Sequence, residues 1–314
     1  MADRERWLVT GALGCLGAWT IKALLEDGEA VVGYDLGDDA ARLRLMTPPE
    51  QLAQVTLEQG DITELAALER VLDEHAITRV VHLAALQVPF CRADPALGAR
   101  VNVVGTVNLF EAVKRRRDRI PGIAWASSAA VYSVDDPSPA PESGGARPAT
   151  HYGVYKLANE GTARIYWADD GIPSIGLRMY VVYGAGRDQG ITSTPTQAMA
   201  AAARGEGFEI TFGGVAQYDY APDVGRAFVA AARAVSEGVA VYNFPGVVAP
   251  MEEVVAAIEA AAPEVAGKIS WLEQALAFPE SMEAVGLEHA VGTLPRTSLA
   301  DGVRATVELL ARAD

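Results

Sequence analysis

The stretch Thr10-Gly-Ala-Leu-Gly-Cys-Leu-Gly17 constrains this chain more than any other. It follows the apolar run Trp7-Leu-Val9 and precedes residues 18–25, whose apolar side chains recur at helical spacing. The order reads strand, tight turn, helix. Gly11, Gly14 and Gly17 sit where a turn needs unusual dihedrals and where a missing side chain lets the backbone approach a ligand closely. The helix N-terminus that follows offers free N–H groups and a positive dipole end to a pyrophosphate.

A glycine turn of this kind also occurs with no ligand, so its context decides. The next predicted strand, residues 30–35, ends in Asp35. An acid about 20 residues past the loop is placed to accept hydrogen bonds from an adenosine ribose, and its charge repels a 2′-phosphate. The expectation is therefore a dinucleotide site that takes NAD rather than NADP.

A length of 314 residues suits one large domain or two modest ones, and 50% hydrophobic with 21% charged residues is the balance of a globular protein. The formal net charge of −15 argues against nucleic acid or an anionic membrane as partner. The one basic cluster, Lys114-Arg-Arg-Arg117, falls at a predicted helix end, where cations favour the dipole and face solvent. Cys15 and Cys91 make neither a disulfide framework nor a metal site, and His75, His82, His151 and His289 are scattered, so no metal is expected. A charged N-terminus and the lack of a long apolar run lead to the expectation of a cytoplasmic protein without a membrane span.

Strands are expected at residues 55–61, 79–85, 123–128 and 174–179, with helices at 64–74, 95–117 and 152–170. Thr47-Pro-Pro49 should break any helix, and residues 135–148, rich in Pro, Ser and Gly, should form a surface loop. The run 79–85 is almost continuously apolar, as in a parallel strand covered on both faces. Alternating strands and helices predict an α/β fold with a Rossmann-type doubly wound parallel sheet. Beyond Tyr183 the pattern loosens, with helices near 193–204, 222–236 and 251–262, and a strand at 239–244 that could rejoin the main sheet. This predicts an NAD-binding domain over residues 1–180 plus about 221–245, and a smaller, partly interleaved substrate lobe over 181–220 and 246–314.

Tyr152 and Lys156, four apart in a predicted helix, share one face. A free tyrosine has a pKa of about 10 and is a poor base at neutral pH, but an adjacent ammonium, together with the positive charge of an oxidised nicotinamide, lowers it. Tyr152 could then take a hydroxyl proton while hydride leaves to a nicotinamide, with Lys156 also holding the nicotinamide ribose. Ser128, at the end of the fifth strand, lies where a parallel sheet presents its ligands and could hold the reacting oxygen. Taken singly, a Tyr and Lys at this spacing or a serine after a strand means little; in this order, behind a dinucleotide loop, they form a constellation.

The glycine stretch, Gly60-Asp61-Ile62, His82-Leu-Ala-Ala85, residues 102–106, Ser127-Ser-Ala-Ala-Val-Tyr132, residues 152–156 and Leu177-Arg-Met-Tyr-Val-Val-Tyr-Gly184 together resemble the extended short-chain dehydrogenase/reductases of the NAD-dependent epimerase/dehydratase family. The resemblance covers roughly residues 6 to 235. It implies that Gly11, Gly14, Cys15, Leu16, Gly17 and Asp35, with Leu83, Ala84, Ala85, Lys156 and Tyr180, contact NAD, that Asp61 and Ile62 bracket the adenine, and that Asn102 steadies the sheet beside the cofactor. It implies Ser128, Tyr152 and Lys156 as the catalytic set, with Tyr155 outside it. It also implies a homodimer through a four-helix bundle of the 95–117 and 152–170 helices.

The departures from that family narrow the chemistry. Its dehydratases carry Asp-Glu directly after the strand-end hydroxyl, where this chain has Ala129-Ala130, which disfavours elimination. Its sugar-nucleotide enzymes usually have Asn where Val181 stands and Arg where Ala216 stands, both gripping the diphosphate. Arg187 either compensates in part or is a loop arginine in water. Gln87, Ser128, Arg187, Ser193 and Thr194 are the substrate-pocket candidates, with helix capping the alternative role of Ser193 and Thr194.

The resulting expectation is an NAD-dependent oxidoreductase exchanging hydride between NAD and a secondary alcohol or ketone of a sugar, sugar acid or similar hydroxylated small molecule. The alternatives are a nucleotide-sugar epimerase that retains its NAD through a transient ketone, and a non-catalytic NAD-binding regulator.

Overall fold

The computed structural model describes residues 5–145 and 147–312. The first four residues of the charged N-terminus, residue 146 of the expected surface loop and the last two residues of the expected substrate lobe lie outside the described residues. In chain order the strands are β1 (Arg6–Thr10), β2 (Ala30–Asp35), β3 (Thr56–Gln59), β4 (Arg79–His82), β5 (Ile123–Ala126), β6 (Ser174–Arg178), β7 (Val181–Tyr183), β8 (Phe208–Ile210), β9 (Val215–Tyr220), β10 (Val239–Asn243), β11 (Val247–Pro250) and β12 (Ile269–Trp271).

Seven of them form one sheet in the order β10-β6-β5-β4-β1-β2-β3, parallel throughout. The chain runs outward from β1 through β2 to β3, then crosses back to place β4 on the other side of β1. That reversal opens a crevice at the carboxyl ends of the strands, the place where such sheets bind ligands.

The sheet is apolar on both faces because both are covered. Trp7, Val9, Val31 and Val81 pack with Ile21, Leu24, Val224 and Phe228 of the helices Cys15–Glu26 and Ala221–Ala234. Leu8, Val32, Val80 and Trp125 pack on the other side with Leu68, Val71, Leu109 and Phe110 of the helices Leu65–Glu74 and Gly105–Lys114. Each such fully buried side chain contributes roughly 1.5–3 kcal/mol, so the two layers fix the sheet and hence the crevice.

A second core gathers Val181, Tyr183, Met199, Tyr218, Val254, Ile258 and Val303. It lies among β7, β9 and β11, which form a three-stranded sheet, and the helices Thr194–Ala203, Met251–Ala261 and Leu299–Ala311.

The elements depart from expectation where local signals conflict. Thr47-Pro-Pro49 ends the helix Ala41–Met46, with Thr47 extended after it, and Pro49 then opens a short helix that was not expected, Pro49–Leu52, in the first-turn position where its missing N–H costs nothing. The expected 95–117 helix starts at Pro95 and ends at Lys114, with a π-helical turn at Arg100–Val104. The fourth strand stops at His82, because Leu83 and Ala84 turn their N–H groups onto the Thr10 hydroxyl at 3.2 and 3.3 Å. The strand at 239–244 joins the main sheet beside β6, as β10.

Candidate active site

The crevice is a cavity of about 950 Å³ running from Asp35 past the glycine loop to Ser128, Tyr152 and Arg187. At its floor Gly11 adopts φ +69°, and a Cβ there would lie 2.7 Å from the Ala84 nitrogen, so only glycine lets β1 and β4 close up under the loop. The helix Cys15–Glu26 then starts with its N-terminus at the cavity wall. Asp35 accepts from the Leu13 N–H at 2.9 Å and the Gly37 N–H at 3.2 Å, which fixes its carboxylate beside the loop with acceptor capacity left over. A groove with glycine backbone, a free helix N-terminus and a fixed carboxylate fits a dinucleotide.

Of the expected cofactor contacts, Gly11, Gly14, Cys15, Leu16, Gly17, Asp35, Asp61, Ile62, Leu83, Ala84, Ala85, Lys156 and Tyr180 all line this cavity. Asn102 does not, and the correction has a physical reason. Its amide is buried and turned to the backbone, accepting from Leu86 N–H at 2.7 Å and donating to Leu86 carbonyl at 2.9 Å. It acts through the chain that leaves β4.

Ser128 and Tyr152 meet because two elements converge. Thr150 caps the helix His151–Asp170 by accepting from Gly153 N–H at 3.0 Å, and a Cβ on Gly153 would come within 3.0 Å of the Ala130 carbonyl carbon. Glycine lets the helix start press onto the turn that follows β5. The Ser128 side chain neighbours Tyr152 and favours its ionised form, and its hydroxyl accepts from Ala130 N–H at 3.1 Å. Ala129 and Ala130 are buried, so no acid stands where elimination would need one. Tyr155 faces elsewhere, donating to the Pro95 carbonyl at 2.8 Å.

Lys156 is buried, with Nζ 5.5 Å from the Tyr152 ring centroid and donating to the Ala126 carbonyl at 2.7 Å. Burial lowers its pKa to about 8. The protein's own groups, without the nicotinamide charge that the expectation also invokes, do not lower Tyr152. Burial raises the phenol above its ordinary value, opposed by the Ser128 side chain and the Arg187 charge. The ammonium sits off the ring and gives a hydrogen bond to Ala126, so desolvation dominates. His82, buried between Thr10 at 2.7 Å and Thr106 at 3.1 Å, is lowered to about 3 and is neutral beside Lys156.

Arg187 lies in the cavity wall, not in bulk water. Its Nη1 donates to Gln87 Oε1 at 3.1 Å and its Nη2 to Thr192 Oγ1 at 3.3 Å. Its Nε is buried with no protein partner among the described residues. Ser193 and Thr194 correct the expectation, since neither lines the cavity. The Ser193 hydroxyl donates to the Gly190 carbonyl at 2.7 Å and Thr194 pairs with Thr211 at 3.2 Å, each tying down backbone behind the wall.

The sequence reading missed Thr192, Arg42, Leu276 and Phe278 in the wall. Phe278 packs edge-on against Tyr180, with centroids 6.1 Å apart, and nothing local in the sequence signals it. Val181 and Ala216 are fully buried in the second core. Asp219, the β9 partner of Val182 in β7, is buried as well. Asp219 accepts from Tyr180 N–H at 2.6 Å and from Gln217 Nε2 at 2.9 Å, and burial raises its pKa to about 7.

A sequence model of the NAD dependent epimerase/dehydratase family matches residues 7–244. UDP-glucuronate 4-epimerase 2 of Arabidopsis thaliana is 34% identical over 182 residues, which is 56% of this chain and 42% of that protein. The chain thus spans less than half the length of that relative. Among solved structures, MoeE5 in complex with UDP-glucuronic acid and NAD is 27% identical, with a TM-score of 0.79 over 98% of this chain and 99% of its own. L-threonine dehydrogenase of Clostridium difficile, 19% identical, shares the fold, with a TM-score of 0.84 over 98% of each chain.

Proposed function

Because the chain belongs to the NAD dependent epimerase/dehydratase family, we propose that it is an NAD-dependent oxidoreductase acting at a secondary carbinol of a small hydroxylated substrate, a sugar acid or similar carboxylate-bearing molecule. The carrying observation is that Ser128, Tyr152 and Lys156 open into the same cavity as Arg187. Bound NAD supplies the hydride acceptor or donor.

In this reading Tyr152 takes the carbinol proton or returns it to a ketone oxygen, and Ser128 donates a hydrogen bond to that oxygen. Lys156 carries charge behind the phenol and reaches the ribose side of the cavity. Burial keeps Tyr152 protonated at neutral pH, which suits it to act as the acid in ketone reduction. Gln87 and Thr192 hold two edges of the Arg187 guanidinium, and its unpartnered Nε remains for an anionic oxygen.

Apolar Val181 and Ala216 in the second core favour a substrate without a diphosphate. The second reading, epimerisation of a nucleotide-linked sugar acid, is favoured by the name of the Arabidopsis relative and by the ligand named with MoeE5. A panel of sugar acids, hydroxy acids, free sugars and nucleotide sugars given NAD, with NADH read in each, separates them. Net NADH from a small carboxylate-bearing alcohol supports the oxidoreductase. Conversion of a nucleotide sugar with no net NADH supports the epimerase, and neither outcome sinks both.

Residues 1–180 with about 221–245 would serve as the cofactor domain and 181–220 with 246–314 as the substrate lobe, a division supported by Leu276 and Phe278 in the cavity wall. A homodimer is supported by Val154 and Ile165, exposed at 48% and 59% on one face of the helix His151–Asp170 with Ala158 and Gly161 between them. Ile165→Glu should then yield monomers in sedimentation velocity, and a wild-type protein that already sediments as a monomer contradicts the dimer. Among the described residues no helix is long and apolar enough to cross a membrane. A cytoplasmic location agrees with two free cysteines, and secretion of the native protein would refute it.

A further inference from the structure

Arg42 belongs to no element that the sequence reading connected with the site, yet it lines the cavity and joins its two walls. Its Nη1 donates to the Leu13 carbonyl in the glycine loop at 3.0 Å. Its Nε donates to the Gly186 carbonyl at 3.1 Å, and its Nη2 meets Asp188 Oδ1 at 2.7 Å. Leu13 is itself fixed by Asp35 through its N–H. On the far side, the loop that holds Gly186 and Asp188 also carries Arg187 and is anchored at Ala185 by the buried Trp19 Nε1, at 2.9 Å. One guanidinium thus ties the loop of the cofactor wall to the loop of the substrate wall, using the planar fork that lysine lacks.

We infer that Arg42 and Asp188 form a latch across the cavity that slows release of the dinucleotide and keeps the Arg187 loop in place while the cofactor is bound. The inference rests on the proposed NAD site and adds control of cofactor exchange to it. Leu13, Gly186 and Asp188 all line the cavity, so a dinucleotide leaving the groove must part walls that the guanidinium holds together. The ion pair is partly exposed, with Arg42 at 25% and Asp188 at 57%, so salt screens it, while the two carbonyl bonds persist. Arg42 is a positioning residue. It acts on the cofactor through the loops it joins, and its effect belongs in the release rate.

The test is stopped-flow release of NADH from the full-length protein, read by fluorescence with no substrate present. Arg42→Met keeps the stem and removes all three donors, and is expected to release NADH about tenfold faster. Asp188→Asn removes only the ion pair and is expected to release it about two- to threefold faster, at a rate that added salt no longer raises, whereas salt accelerates the wild type. Release from Arg42→Met within about twofold of the wild type would overturn the latch. So would slower release from Asp188→Asn, since a freed guanidinium would then be gripping the cofactor directly. If Arg42→Met fails to fold, Asp188→Asn and the wild-type salt dependence decide alone. Tight NADH binding with no turnover on any alcohol would count against the proposed reaction and leave the latch standing, and equal release rates with intact turnover would do the reverse.

Discussion

Lys156 Nζ donates to the Ala126 carbonyl at 2.7 Å, two residues before Ser128 on the same strand end. The end of β5 therefore both fixes the ammonium and presents the hydroxyl, so their separation is set by backbone and not by two mobile side chains. This couples the two roles. A substitution that shifts the strand end should disturb Ser128 and Lys156 together.

Tyr152 is expected to be the acid and base. Tyr152→Phe should lower kcat/KM by about 100-fold or more while NADH affinity, from fluorescence titration, changes by less than about twofold. Burial raises the phenol pKa, so the wild-type rate of alcohol oxidation should climb with pH and still be climbing toward about pH 10. A flat profile in that range, or an active Phe variant, counts against the assignment.

Arg187 is expected to set substrate choice. Removing it as Arg187→Met should raise KM for a carboxylate-bearing substrate by about 10- to 100-fold, the worth of a charge-assisted hydrogen bond to a buried partner. An analogue lacking the carboxylate should bind wild type and variant alike. Equal losses for both analogues would return Arg187 to a purely structural role.

Asp219 makes a pH signature in stability. Its folded pKa is raised to about 7 from 3.8, so its contribution is fully present below about pH 4 and is lost as pH rises through about 7. Asp219→Asn removes that titration. Chemical denaturation should show the variant gaining on the wild type between those limits, by an amount on the order of 4 kcal/mol. A difference that stays constant with pH would mean that the carboxylate is not held neutral.

The parts legible in the sequence are those whose chemistry is local. The glycine loop, Asp35 and the Tyr152–Lys156 pair each declare themselves within a few residues, and the alternation of strand and helix gave the sheet. Arg42 and Phe278 were not legible. Each reaches the cavity from a segment whose own pattern is unremarkable, and each depends on contacts with residues about a hundred or more positions away, Gly186 for one and Tyr180 for the other. The three-residue strands β8 and β12 are too short to show a period. Ser193 and Thr194 were misread because a hydroxyl near a pocket and a hydroxyl bracing the loop behind it look identical in sequence; their partners, Gly190 and Thr211, decide. The burial of Tyr152 was not legible for a related reason, since the cost of burying a phenolate depends on surroundings that spacing does not reveal.

The most direct test follows deuterium from the carbinol carbon. Purified protein is incubated with NAD and carbinol-deuterated alcohols bearing a carboxylate, and the cofactor and the chromatographically separated substrate epimers are then weighed by mass spectrometry. The account predicts deuterium in NADH released to solution, abolished by Tyr152→Phe. Deuterium that returns to the opposite face of the substrate, with none in free NADH, would make the protein an epimerase. Deuterium in neither, from every alcohol tried, would contradict hydride transfer at the Ser128–Tyr152–Lys156 site.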